Sequence, residues 1–298
     1  MNQNVTFERF LTRAAPAIFV VLWSSGFIAT KYALAGAEPL TFLFIRMVAV
    51  VVLMAIIIVI ARPKWPNRMD AWHSVVAGLL VHGFYLAGTA IAIYHSVPAG
   101  LSALIPGLQP ILTSTLANRF LGERVTPMQW LGLLLGLSGV LLVLHTRQMS
   151  GQLGWGWLGT CVALVSITLG TLYQKRYCSR IDWRTGNLIQ FVAAGVLYAV
   201  GAVLFETRQV VWSWEFVLGV GWLVIALSMG SIGLLYWLIR HNGATQVASL
   251  FYLVPVVTAL MAFVLFDEHV GWLGILGMTI CAAGVFIVNK PGKVPREN

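Results

Sequence analysis

Residues 99–143 read AGLSALIPGLQPILTSTLANRFLGERVTPMQWLGLLLGLSGVLLV, and residues 244–288 read ATQVASLFYLVPVVTALMAFVLFDEHVGWLGILGMTICAAGVFIV. The second stretch repeats the first 145 residues on: Ala99 pairs with Ala244, Pro110 with Pro255, Thr113 with Thr258, Glu123 with Glu268, Val125 with Val270, Gly132 with Gly277 and Gly139 with Gly284. Upstream, an offset of 144 places Gly26 on Gly170 and Lys31 on Lys175. Self-similarity at a fixed period is the mark of a duplicated architecture, and it predicts two repeats over 1–148 and 149–298.

Each repeat is written in long apolar runs. Of the 298 residues 59% are hydrophobic and only 10% are Asp, Glu, Lys or Arg, where a soluble domain carries about 25% charged residues. Lipid replaces the charge that water would demand, provided that every backbone polar group is bonded within a helix or a closed barrel. Ten stretches reach the roughly 20 apolar residues that a bilayer core needs: 14–34, 40–61, 71–94, 98–118, 128–145, 154–174, 186–205, 215–239, 244–266 and 270–289. The expectation is an all-α polytopic membrane protein with ten transmembrane helices. Its N-terminus lacks the small-residue cleavage site of a signal peptide, so the first span is expected to stay in place.

The formal charge of +9 does not point to nucleic acid, because the basic residues sit in short clusters between apolar runs. They set orientation instead, since short cytoplasmic loops are enriched in Lys and Arg. With the N-terminus inside, fifteen basic residues fall on the inner side, from Arg9 to Arg296, and only Lys31, Arg147 and Arg208 on the outer side. Both termini are then expected in the cytoplasm of a bacterial cell, with membrane lipid as a partner. Five spans per repeat is an odd number, so the copies cross in opposite senses. An inverted repeat is the architecture of transporters, whose halves exchange conformations around a central site.

Four local features come in order with this duplication: LWSSGFIATKYAL at 22–34, TFLFIRMVAV at 41–50, and the Pro-containing fourth and ninth helices, which run into the acidic turns LGERVT at 121–126 and FDEHVG at 266–271. In these the chain resembles the drug/metabolite transporter superfamily, in its ten-helix EamA branch, over nearly its whole length. The resemblance implies an exporter of small organic solutes in the bacterial inner membrane, most similar to exporters of aromatic amino acids. It also implies a central cavity lined by helices 1, 3, 4, 6, 8 and 9, with 5 and 10 outside.

Polar residues inside a membrane face protein or a cavity, which makes them the candidates for solute binding. His82, Tyr85 and Thr89 share one side of the third helix; a His tied to a neighbouring backbone or hydroxyl is the alternative. The fourth helix carries Ser102, Pro106, Gln109 and Thr113, and the ninth Thr245, Ser249, Tyr252 and Pro255. Proline frees carbonyls that a solute could use, although a kink needed for packing explains both equally. Trp23, Tyr173, Tyr236 and Trp237 could build an aromatic wall for a flat solute, Trp23 and Tyr85 before the others; ordinary packing is the competing account of each ring. Lys31 and Arg46 are the charges nearest the interior on the outer side. Either they attract a carboxylate at the outer mouth, or they bond carbonyls at helix ends and reach toward water.

All ten carboxylates lie at helix ends or in loops. A proton-driven exporter of cationic drugs needs one at mid-membrane to hold cation and proton in turn. The expected substrates are therefore neutral or zwitterionic and move down their gradient, with His82 the one central titrating group. An integral membrane enzyme would need paired Asp, a Ser and His in register, or a metal cluster within the spans; His73, His82 and His95 have no carboxylate at their depth, so no catalytic group, metal or cofactor is expected. Cys161, Cys178 and Cys281 are too scattered for a metal or redox pair. Residues 154–159, GWGWLG, fit a dinucleotide motif but follow no strand. Gly132, Gly136 and Gly139 suit close helix packing, within the chain or between chains, leaving a monomer or weak homodimer.

Overall fold

The computed structural model describes residues 2–97, 102–103, 106–121, 125–145, 154–242, 244–266 and 271–289. The described residues are helical throughout apart from turns and one isolated bridge, Ala37 to Val210. In chain order the helices are α1 (Asn2–Leu34), α2 (Pro39–Ala61), α3 (Arg68–Tyr94), α4 (Gln109–Leu121), α5 (Pro127–His145), α6 (Trp155–Cys178), α7 (Trp183–Phe205) and α8 (Trp214–His241). Ala244–Ser249, a 3-10 turn Leu250–Tyr252 and Leu253–Phe266 follow one another as α9, and α10 is Trp272–Asn289.

Helix starts follow from local chemistry. Asn67 and Ser213 accept hydrogen bonds from the Asp70 and Phe216 amides at 2.8 and 3.2 Å, satisfying donors that a helix N-terminus leaves open. Asp182 caps α7 through the Arg184 amide and also pairs with the Arg184 side chain at 2.7 Å; that guanidinium holds the Asp182 carboxyl below its ordinary pKa. Glu38, which precedes α2, makes no cap of its own. The cap comes from α7: the Glu206 carboxylate accepts from the Leu40 and Thr41 amides and the Thr41 hydroxyl, each at 2.7 Å. Glu38 in turn accepts from the Thr207 amide at 2.7 Å.

Seven helices are long and apolar enough to cross a membrane: Ala14–Leu34 within α1, all of α2, α3, α6, α7 and α8, and Gln246–Leu265 within α9. The chain is an all-helical membrane protein. The other three expected spans correspond to α4, α5 and α10, of which α4 is described over only 13 residues. Outward faces are apolar and bare, as with Ile60, Phe205 and Val264, each more than 70% exposed. A continuous surface of this kind is at home in hydrocarbon and not in water.

Two departures from regular helix recur with the sequence repeat. A π turn opens at Leu79 in α3 and another at Leu223 in α8, the same 144-residue offset that aligns Gly26 with Gly170. The 3-10 turns before α4 and inside α9 start at Pro106 and Leu250, one residue short of the 145-residue offset of that part of the repeat. A π turn frees carbonyls from the helix ladder, and in lipid these need partners. The Tyr198 hydroxyl of α7 donates to the carbonyls of His82 and, at 2.7 Å, Gly83. In α8 the Ser228 hydroxyl donates to the Leu223 carbonyl at 3.0 Å.

Glycine lets the helices touch backbone to backbone. In α5 and α10, a Cβ added to Gly132 would meet the Gly284 carbonyl at 2.7 Å, and one on Gly139 the Gly277 carbonyl at 2.5 Å. Early residues of one helix thus meet late residues of the other, so α5 and α10 run antiparallel. Gly88 of α3 and Gly159 of α6 make a similar contact.

Candidate functional site

A pocket in the helical core is lined from α1 by Trp23, Gly26 and Thr30, from α2 by Arg46, from α3 by His82, Tyr85 and Thr89, and from α8 by Leu223 and Leu227. All of these polar and aromatic side chains are buried. Trp23 and Tyr85 form the wall: their rings stack at 6.0 Å and 23°, and the indole Nε1 donates to the Tyr85 hydroxyl at 3.0 Å. Phe19 and Phe251 extend the wall with tilted and edge contacts to Trp23 at 5.1 and 5.2 Å. Such ring pairs contribute about 0.5–1.5 kcal/mol beyond burial. The Thr89 hydroxyl bonds back to the Tyr85 carbonyl at 3.0 Å.

Arg46 supplies the charge. It is 2% exposed, and its Nε and Nη2 donate to Ser228 Oγ at 3.3 and 3.1 Å. No carboxylate among the described residues pairs with it. The guanidinium is buried against α8, which presents Ser228 from its π turn. Lys31, by contrast, is exposed. Its repeat counterpart Lys175 closes the end of α8 by donating to the Ile239 and Asn242 carbonyls at 2.7 and 2.6 Å.

His82 packs against Phe191 with ring centroids 4.6 Å apart and planes tilted by 38°, and its Nε2 is buried without a hydrogen-bond partner. The expected tie to a neighbouring hydroxyl is made by its backbone carbonyl, through Tyr198, and not by the ring.

The other candidates lie elsewhere. Gln109 donates to Thr171 at 2.8 Å. Ser249 is buried and donates to the Gln246 carbonyl at 2.8 Å. The Tyr252 ring lies on Gly136 of α5, where a Cβ would come within 2.5 Å of it. Tyr173 bonds His73 Nδ1 at 2.7 Å near the end of α6, and Trp237 stacks on His241 at 4.4 Å. The Tyr236 side chain and that of Thr245 lie outside the described residues.

Sequence reasoning missed Thr30, Ser228 and Leu227. Thr30 was within reach, standing seven residues after Trp23 on the same helix face. Ser228 was not, because the π turn in α8 shifts the face that follows it.

The pocket holds about 30 Å³, room for about one water molecule. Leu227 is the reason: a Cβ on Gly26 would fall 2.2 Å from its Cδ2, so this leucine already occupies the space above the glycine. Leu227 and Gly26 thus narrow the pocket between α1 and α8.

The EamA-like transporter family matches the chain twice, over residues 15–145 and 154–290. The chain belongs to that family. As an EamA-like transporter it is 24% identical over 274 residues to the uncharacterized inner membrane transporter YedA of Escherichia coli K12, covering 91% of this chain and 88% of that protein. It is 27% identical over 282 residues to the probable amino-acid metabolite efflux pump of the same organism, covering 91% and 92%. The uncharacterized transporter YvbV of Bacillus subtilis is 25% identical over 295 residues, covering 94% and 92%. A solved crystal structure, 21% identical, shares the fold with a TM-score of 0.73 over 92% of this chain and 95% of that one.

Proposed function

We propose that this EamA-like transporter exports small organic solutes, aromatic amino acids and related metabolites, from the cytoplasm by alternating access. One observation carries the reading: the Trp23–Tyr85 stack and the Arg46 guanidinium line a single core pocket built from α1, α2, α3 and α8. An aromatic face and a cation side by side suit a solute with a ring at one end and a carboxylate at the other. A relative named as an amino-acid metabolite efflux pump supports the export direction and the solute class.

In this reading α4, α5 and α10 also cross the bilayer, giving ten spans in two inverted repeats, 1–148 and 149–298, with both termini cytoplasmic. The recurring π and 3-10 turns, the antiparallel α5–α10 pair and the two family matches support it. The repeats exchange conformations, α8 withdraws Leu227, and the pocket opens to one side at a time. With no carboxylate among the described residues of its lining, transport runs down the solute gradient without a proton.

The test is uptake of labelled tryptophan and phenylalanine by proteoliposomes holding the full chain. Saturable flux that persists in uncoupler and falls at least tenfold in Trp23→Ala is expected. Linear leak identical to empty vesicles for every aromatic solute tried would overturn the proposal, and flux abolished by uncoupler would replace it with a proton-coupled exporter.

A further inference from the structure

Sequence alone points to neutral or zwitterionic cargo, because no carboxylate sits at mid-membrane. The buried geometry of Arg46 changes that balance. We infer that the pocket is built for a net monoanion, an aromatic or similarly apolar monocarboxylate, in preference to the zwitterionic amino acid with the same ring. This rests on the Trp23–Tyr85–Arg46 pocket being the solute site.

The guanidinium has five N–H donors in a planar fork, and the acceptor it meets among the described residues is one neutral hydroxyl, Ser228 Oγ, shared by Nε and Nη2. A cation in this position carries a desolvation cost of several kcal/mol that a hydroxyl cannot offset. A carboxylate can, because it matches the fork with two parallel charge-assisted bonds. Among the described residues, the pocket lining holds no Asp or Glu. A monoanion therefore leaves the filled site neutral, whereas a zwitterion brings an ammonium that must give up its water and finds no countercharge. A lone cation would stand beside Arg46 and be repelled.

The second polar group on offer confirms the asymmetry. His82 lines the same pocket 1% exposed, with Nε2 unpartnered. As a neutral ring it donates one further hydrogen bond to a carboxylate or an adjacent carbonyl oxygen, or accepts one from an ammonium, but it supplies no negative charge. Thr30 and Thr89 add hydroxyls of the same neutral kind. Trp23 and Tyr85 offer ring faces to the apolar end of the solute. A cation over the indole gains roughly 0.5–2 kcal/mol, less than a buried ammonium loses without a carboxylate.

Three probes share one ring and differ in charge: 3-phenylpropionate, L-phenylalanine and phenethylamine. Their binding to the purified full-length protein in detergent is read by tryptophan fluorescence and by shift in melting temperature, and their flux in proteoliposomes by competition. We expect 3-phenylpropionate to bind at least tenfold tighter than L-phenylalanine, and phenethylamine to bind weakest. In Arg46→Gln the anion should lose at least tenfold while the differences among the three probes collapse. Arg46→Lys should restore part of the preference. The melting temperature of ligand-free Arg46→Gln should hold or rise, since removing an uncompensated buried charge relieves strain on the fold. L-phenylalanine binding as tightly as 3-phenylpropionate, or an anion preference that survives Arg46→Gln, would overturn this inference and leave the transporter reading standing. Failure of all three probes to bind or move would instead remove the aromatic-solute reading beneath it.

Discussion

The indole of Trp23 on α1 donates to the hydroxyl of Tyr85 on α3 at 3.0 Å, with the two rings 23° from parallel. The bond fixes the aromatic wall of the pocket by tying two helices at their buried faces. Tyr85→Phe keeps the ring and removes the acceptor, leaving a buried N–H unsatisfied at a cost of about 1–3 kcal/mol. A lower melting temperature and a several-fold rise in the half-saturation concentration for aromatic solutes are expected from flux and thermal unfolding in detergent. Tyr85→Ala should abolish saturable flux, since it also removes the stacking face. Unchanged flux in both variants would place the solute elsewhere.

Leu227 narrows the pocket by standing over Gly26. Shortening it in Leu227→Ala should enlarge the cavity and admit solutes without a full movement of α8, at a stability cost of about 2–5 kcal/mol. Binding of a fluorescent aromatic acid should tighten several-fold in this variant. Gly26→Ala acts in the opposite sense: its methyl forces Leu227 deeper into the pocket, and flux should fall with little change in folded yield. A Leu227→Ala protein that folds but binds no better would show that Leu227 is packing and not a gate.

Glu206 connects the end of α7 to the start of α2 by three hydrogen bonds, and Glu38 returns the connection to Thr207. Glu206→Ala should lower stability by about 0.5–2 kcal/mol, the usual worth of an N-cap, and Glu206→Gln, with one acceptor oxygen in place of two, by less. Thermal unfolding monitored by circular dichroism separates the two. Equal melting temperatures for wild type and Glu206→Ala would mean that water caps α2 equally well.

Fold and site were legible to different degrees in the sequence, and for physical reasons. Lipid imposes a simple rule on composition, so the apolar runs gave α2, α3, α6, α7 and α8 within a few residues, and the paired Pro110 and Pro255 signalled the irregular helices that hold the 3-10 turns. The His82, Tyr85 and Thr89 stripe was legible because three of its positions keep helical phase into the pocket. The burial of Arg46 was not legible, because hydropathy counts charge without seeing partners such as Ser228, which the π turn of α8 delivers. Tyr173 and Trp237 were overvalued for a related reason, since an aromatic near a helix end reads the same whether it faces solute or, as here, His73 and His241.

One last expectation comes from two glycines, one in each half, that face unequal surroundings. Gly88 of α3 has the Gly159 carbonyl 2.4 Å from where a Cβ would stand, and backbone cannot swing aside as a side chain can. Gly233 of α8, by contrast, has nothing within 4 Å. Gly88→Ala should therefore separate α3 from α6 and cost about 1–3 kcal/mol as overpacking, while Gly233→Ala should be neutral or gain up to about 1 kcal/mol from helix propensity. Melting temperatures of the two variants in one detergent decide the matter. Equal melting temperatures for the two variants would mean that the α3–α6 contact yields to a methyl group without cost.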